Sequence, residues 1–275
     1  MRREEEAHEP NATVKGVVRF ARRLSVPDVV LRAGAAAVRV RPWPADESTA
    51  QVLPVPGATL PSSQEVGRWM SGLSRLGYHR VRTAALGPRD QRPYREAGLD
   101  PLEELVLLRR SLDGPRPSPA RRVRRPRRAE WPLLPAVDAA AFTGEWHLDR
   151  DAIVDACRAT PQHRLRVARA EGIDRDGPLG YVVHGRAGSS GYVQRLAVRP
   201  EASGRGWGTA LVLDGLRWMA AAGCVEALVN THADNARALA LYEWLGFVRL
   251  PDGLTVLGLS LRDESRLDVM SGDLP

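Results

Sequence analysis

Cysteine is nearly absent: Cys157 and Cys224 are the only two in 275 residues. Two are too few for a disulfide framework or a cysteine-ligated metal site, so no metal is expected and a reducing cytoplasm is the expected setting. Lysine is scarcer, with Lys15 alone. Arginine supplies almost every other cation, which reads as compositional bias more than as selection for bidentate phosphate contacts. Long hydrophobic runs are missing too. The longest apolar tract, 210–229, is broken by Asp214, Arg217 and Glu226, which excludes a membrane-spanning helix. The first ten residues are charged, with no apolar stretch behind them, so no secretory signal is expected. What is present is enough apolar material to build cores, 43% of residues.

The net charge of +7 raises the possibility of a nucleic-acid partner, because basic surfaces gain affinity by releasing counterions from phosphates. The densest basic run, RRVRRPRR at 121–128, follows DGPRPSPA, where proline and glycine favour an open connector. It is therefore expected to be a solvated linker, and nucleic acid is not the expected partner. The linker divides the chain into residues 1–113, a linker at 114–128, a domain at 129–263 and a tail at 264–275.

Downstream of it the pattern is α/β. LLPAVDAAAF and DRDAIVDACRA read as helices, HRLRVARA as a half-buried strand, and GPLGYVVHG and GYVQRLAV as a strand hairpin across RAGSS. A helix is expected from about Thr209, stopped by Gly223, followed by the strand CVEALV. Between strand and helix lies SGRGWG. Glycines there allow positive φ and close backbone approach, and the helix start aims free N–H groups at one point. Gly204, Gly206 and Gly208 thus fit either a phosphate cradle or a plain tight turn. The next segment, ADNARALALYEWLGF, begins with Asp234 or Asn235 as a helix cap and stops at Gly246.

Together these two segments resemble the GNAT superfamily of N-acetyltransferases. Ser203, Gly204, Arg205, Gly206, Trp207 and Gly208 match the family's acyl-CoA loop. Asn235, Ala238, Leu241, Tyr242, Gly246 and Phe247 match its later signature. The resemblance covers roughly Ala129 to Leu261 and implies a GNAT fold, a mixed central sheet flanked by helices, with acetyl-CoA as co-substrate and a primary amine as acceptor. It also implies that the strand ending Leu196, Ala197 and Val198 splays from the strand Ala227 to Val229, often with a bulge, with the thioester in the gap. The cradle runs through Thr209. Ser203 departs from the long polar residue that usually opens the loop, which points to weaker phosphate binding rather than none.

For the chemistry, the resemblance makes Tyr242 the general acid for the departing thiolate; packing is its plainer role. The base is open. YVQRLAV carries no carboxylate, and Asn230 stands where relatives carry one on the second strand. His232, Glu145 and a water chain are candidates. Glu145 and Trp146, with Asn230, are expected on the acceptor side, because the corresponding region of protein N-terminal acetyltransferases holds the first residues of the substrate.

The first half contains an echo of the second. Arg68-Trp69-Met70 matches Arg217-Trp218-Met219, Gly77 matches Gly223, and Tyr94 and Gly98 repeat the spacing of Tyr242 and Gly246. A degenerate tandem GNAT module, or a structural or substrate-covering domain, is expected there, with an amphipathic helix over 12–24 and a strand at AAAVRVRPW. Pro54, Pro56 and Pro61 remove backbone donors ahead of its helix, so a diphosphate cradle is not expected. The competing function class is a non-catalytic acyl-CoA sensor, or a module that binds nucleic acid or protein through the basic linker.

Overall fold

Alternating apolar residues from both ends of the chain converge on one sheet. The computed structural model describes residues 29–44, 46–55, 57–114, 117–142, 146–169 and 177–261. The helix expected over 12–24, Glu145 and the tail at 264–275 lie outside the described residues. In the first half, β1 (Val29–Ala33), β2 (Ala36–Trp43) and β3 (Asp46–Pro54) form an antiparallel meander. Then come α1 (Ser63–Arg75), β4 (Arg80–Leu86) parallel to β3, α2 (Pro88–Glu96) and the long β5 (Asp100–Ser111).

The second half repeats the plan. β6 (Val123–Arg124), α3 (Leu134–Ala141) and α4 (Arg150–Arg158) precede an antiparallel β7 (Gln162–Ala168), β8 (Gly180–Ala187) and β9 (Ser190–Val198). After these come α5 (Trp207–Ala221), β10 (Glu226–His232) parallel to β9, α6 (Ala236–Trp244), β11 (Val248–Arg249) and β12 (Leu254–Ser260). The sequence echo falls on corresponding elements. Gly77, Gly98, Gly223 and Gly246 follow α1, α2, α5 and α6 with φ of 87°, 90°, 84° and 80°, values that only glycine adopts without strain at a helix end. Tyr94 and Tyr242 are both buried.

The two halves exchange strands. The sheet order is β1-β2-β3-β4-β12-β5-β10-β9-β8-β7-β6. β12 therefore pairs with β4 and β5, while β5 runs beside β10 from Glu226↔Ser111 to His232↔Leu105. Three apolar clusters fill the faces. One joins α5 and α6 to β9 and β10 through Trp207, Leu211, Met219, Val229 and Tyr242. A second puts α1 and α2 on β2, β3 and β4. The third lies under α3 and α4 and includes Val137, Ile153, Tyr181 and Ala197.

Two expectations are corrected. The arginine run is not a wholly solvated linker, because Val123 and Arg124 pair with β7 and Arg124 grips Glu130 with hydrogen bonds of 2.6 and 2.8 Å. Arg169 and the Arg127 backbone N–H add bonds of 2.7 Å each to the same carboxylate. A carboxylate that is buried, as Glu130 is, needs such partners, and they tie the run down. The helix expected from about Thr209 starts at Trp207, because left-handed Gly206, φ 80°, turns the chain two residues sooner.

Candidate active site

Strands β9 and β10 pair only from Glu226↔Ser190 to Val229↔Val193. Beyond that they part: β10 stays on β5 to His232, while β9 stays on β8 to Val198. A register shift sits at the fork. Val183 pairs with Arg195 and His184 with Val193, leaving Gln194 as the extra residue of a bulge. The bulge changes which way the side chains face. Val193, Leu196 and Val198 pack toward α5 and α6, Ala197 lies under α3 and α4, and Arg195 points to Asp138 of α3.

At the end of the opening stands the start of α5, with left-handed Gly204 (φ 71°) and Gly206 (φ 80°) before it and no side chain capping it. Its first N–H groups and helix dipole are thus offered to an anion. Gly208 closes the cradle. A Cβ there would sit 3.3 Å from Leu241 of α6 and 3.9 Å from Val198 of β9, so the missing side chain keeps the space between strand and helix clear. These residues fit the diphosphate of an acyl-CoA. Ser203 is half-buried, and its hydroxyl accepts a 3.0 Å hydrogen bond from Arg237 at the start of α6. Thr209 is half-buried and the Arg205 side chain exposed. Arg121 adds a cation that sequence reasoning missed. Its Nε donates to the Arg205 carbonyl at 2.7 Å, and its guanidinium lies 4.6 Å from the Trp207 ring centroid. The corresponding helix of the first half is closed to an anion, because the Glu65 carboxylate accepts from Ser62 N–H and already caps α1.

The Asn235 side chain accepts from Ala238 N–H at 3.1 Å and is occupied in capping α6. Ala238 is half-buried against the core. Tyr242 follows one turn later, 4% exposed, its ring edge-on to Phe247 at 5.6 Å. Burial pushes its phenol well above the usual range, with the Arg195 guanidinium working against that rise. Tyr242 is therefore protonated at neutral pH, the form a proton donor needs.

Trp146 is half-buried and Asn230, on β10, exposed. Trp146 lies against His232, ring centroids 4.5 Å apart and planes at 74°. An ion pair that sequence reasoning did not foresee holds it there. Arg195 Nη2 donates to the Trp146 carbonyl at 2.6 Å and, with Nε at 2.9 Å, grips fully buried Asp138, which also accepts from the Tyr181 hydroxyl and from Leu148 N–H at 2.6 Å. The visible signal was an aspartate inside the apolar LLPAVDAAAF. Among the described residues no group of three or more His, Cys, Asp or Glu is placed to hold a metal, and no helix is long and apolar enough to cross a membrane.

A parallel strand pair that parts at its carboxyl ends beside an uncapped helix start defines an α/β fold that binds ligands at the fork. Residues 131–247 match the model of the Acetyltransferase (GNAT) family, and this segment is a GNAT domain. Among curated proteins, the mycothiol acetyltransferase of Kocuria rhizophila is 42% identical over 82 residues, 28% of this chain and 27% of that one. The mycothiol acetyltransferase of Streptomyces scabiei is 48% identical over 58 residues, 21% of this chain and 19% of that one. The matched span is thus about a quarter or less of each relative. Among solved structures, a tandem GNAT protein from the clavulanic acid biosynthesis pathway superposes with TM-score 0.57 at 17% identity, covering 85% of this chain and 82% of that one. A GCN5-related N-acetyltransferase from Kribbella flavida superposes with TM-score 0.54 at 14% identity, covering 87% and 92%. Both likenesses concern the fold, and the first extends it to a tandem arrangement.

Proposed function

We propose that this protein is an acetyl-CoA-dependent N-acetyltransferase that transfers the acetyl group to a primary amine of a small molecule, a peptide or a protein N terminus. The carrying observation is the fork between β9 and β10, which ends at the uncapped, glycine-lined start of α5. The diphosphate is held by the N–H groups of the α5 start, with Arg121 and Arg237 nearby as cations. The pantetheine arm lies in the fork along Leu196, Ala197 and Val198, whose backbone groups on the β10 side have lost their strand partner. One of those N–H groups polarises the thioester carbonyl and stabilises the oxyanion. Tyr242 protonates the departing thiolate. The mycothiol acetyltransferase names support acetyl transfer; over so short a matched span they do not carry an acceptor with them.

The test is titration with acetyl-CoA and desulfo-CoA, followed by release of free thiol across a panel of amines and N-terminal peptides. Acetyl-CoA is expected to bind, at least one amine to turn over, and Tyr242→Phe to lower kcat by about 10²-fold or more with little change in acetyl-CoA affinity. Absence of acetyl-CoA binding would mean that the glycine turn is only a turn.

A further inference from the structure

Side chains on β2 and β4 alternate between two faces. Val38, Val40 and Val81 pack with Trp69 and Met70 of α1. Arg39 and Arg41 face the other way and pair with Asp155 of α4 at 2.8 and 2.6 Å. This second face of the first half is therefore turned toward the α3–α4 side of the GNAT domain. A polar row crosses it. Arg82 of β4 donates to Glu103 Oε1 of β5 at 2.9 Å, and Glu103 Oε2 stands 3.9 Å from His232 Nε2 of β10. Two indoles flank the row, with the Arg82 guanidinium 3.8 Å from the Trp43 ring centroid and 5.5 Å from that of Trp146.

The two facing atoms are unusual. Glu103 Oε2 and His232 Nε2 are both buried, and neither has a hydrogen-bond partner. At 3.9 Å they are too far apart to bond each other, and a buried carboxylate oxygen left without a donor is unfavourable. A nitrogen placed about 2.8 Å from each would see them about 90° apart, within reach of two N–H bonds of one ammonium.

Resting on the acetyl-transfer reading, we propose that Glu103 and His232 seat the acceptor's primary ammonium, so that both halves of the chain build one acceptor site. The ammonium passes one proton to His232 Nε2, and the freed amine forms a C–N bond to the thioester carbon. The C–S bond breaks, and the thiolate takes the proton of Tyr242. The second amine proton leaves the nitrogen and restores Tyr242. The products are the N-acetyl amide, free CoA and one proton left on His232. Trp146, held by Arg195 through its carbonyl, lines the seat beside His232.

Histidine-selective ¹⁵N NMR tests this, because the chain has only six histidines and His232→Gln assigns the relevant one. Benzylammonium chloride is the probe, added to the protein with and without CoA. It is expected to move the His232 resonances of the wild type, with Kd weakened at least about tenfold in Glu103→Gln and partly recovered in Glu103→Asp. In the thiol-release assay with benzylamine, Glu103→Gln raises the amine KM about tenfold and His232→Gln lowers kcat about 10²-fold. Acetyl-CoA affinity stays within about twofold in both, and thermal unfolding confirms that both fold. Resonances that ignore benzylammonium, or move equally in Glu103→Gln, overturn the seat. Loss of acetyl-CoA binding in the wild type would instead overturn the transferase reading, while the His232 shift would still decide this one.

Discussion

His184 and Glu130 show how single buried groups set the pH range of the fold. His184 is fully buried, with Nε2–H donated to the Leu211 carbonyl at 3.1 Å. Burial lowers its pKa from 6.5 to about 4. The unfolded chain therefore binds this proton first, and stability present above pH 6.5 is lost as pH falls toward 4. Glu130 is lowered from 4.5 to about 2, chiefly by Arg124. Its contribution is present above pH 4.5 and is lost as pH falls toward 2. Urea unfolding followed against pH is expected to show both declines, with the upper one abolished by His184→Gln and the lower one by Glu130→Gln. Asp138 is a fully buried charge whose removal strands a partner. Asp138→Asn leaves Arg195 without its counter-ion in a buried site and is expected to cost about 3–5 kcal/mol, and it frees the Trp146 carbonyl from its anchor.

Among elements, the starts of α1 and α5 carry opposite instructions. α1 has the Ser62–Glu65 capping box; α5 has left-handed Gly206 and no side-chain cap. Ser62→Ala is therefore expected to cost about 1 kcal/mol of stability and to leave acetyl-CoA affinity unchanged. Gly208→Val, which thrusts a side chain toward Leu241 and Val198, is expected to weaken acetyl-CoA binding by at least about tenfold with a smaller effect on stability; calorimetric titration and thermal melts separate the two. Helix ends and caps were legible in the sequence because their signals are local: Gly223, Gly246 and Asn235 stand where the chain stops and starts. The bulge at Gln194 was not. Strict alternation in YVQRLAV would place Val193 and Arg195 on one face, and only the Asp138 partner across the domain explains why Arg195 turns away. The arginine run misled because its anchoring is tertiary: Val123 and Arg124 pair with β7, and Arg169, just past the end of that strand, fixes the Glu130 that Arg124 grips.

At the scale of the whole molecule, strand exchange makes the two halves interdependent, and no local pattern announced it. The sequence break at residues 114–128 separates segments whose last strands lie in each other's part of the sheet. Without the first half, β10 keeps only its four-residue pairing with β9, and β12 loses both of its neighbours, β4 and β5. Unpaired strand edges of that length invite association with other chains. The acceptor face would also lose Trp43, Arg82 and Glu103. Cutting the chain between Gly114 and Pro117 tests this dependence directly. Residues 117–275 expressed alone are expected to aggregate or to lack a cooperative unfolding transition. Expressed together with residues 1–114, they are expected to co-purify as one complex and to bind acetyl-CoA within about threefold of the intact chain. A monomeric 117–275 fragment that melts cooperatively and binds acetyl-CoA unaided would show that β10 and β12 hold without their borrowed neighbours, and that the exchange serves the acceptor site alone.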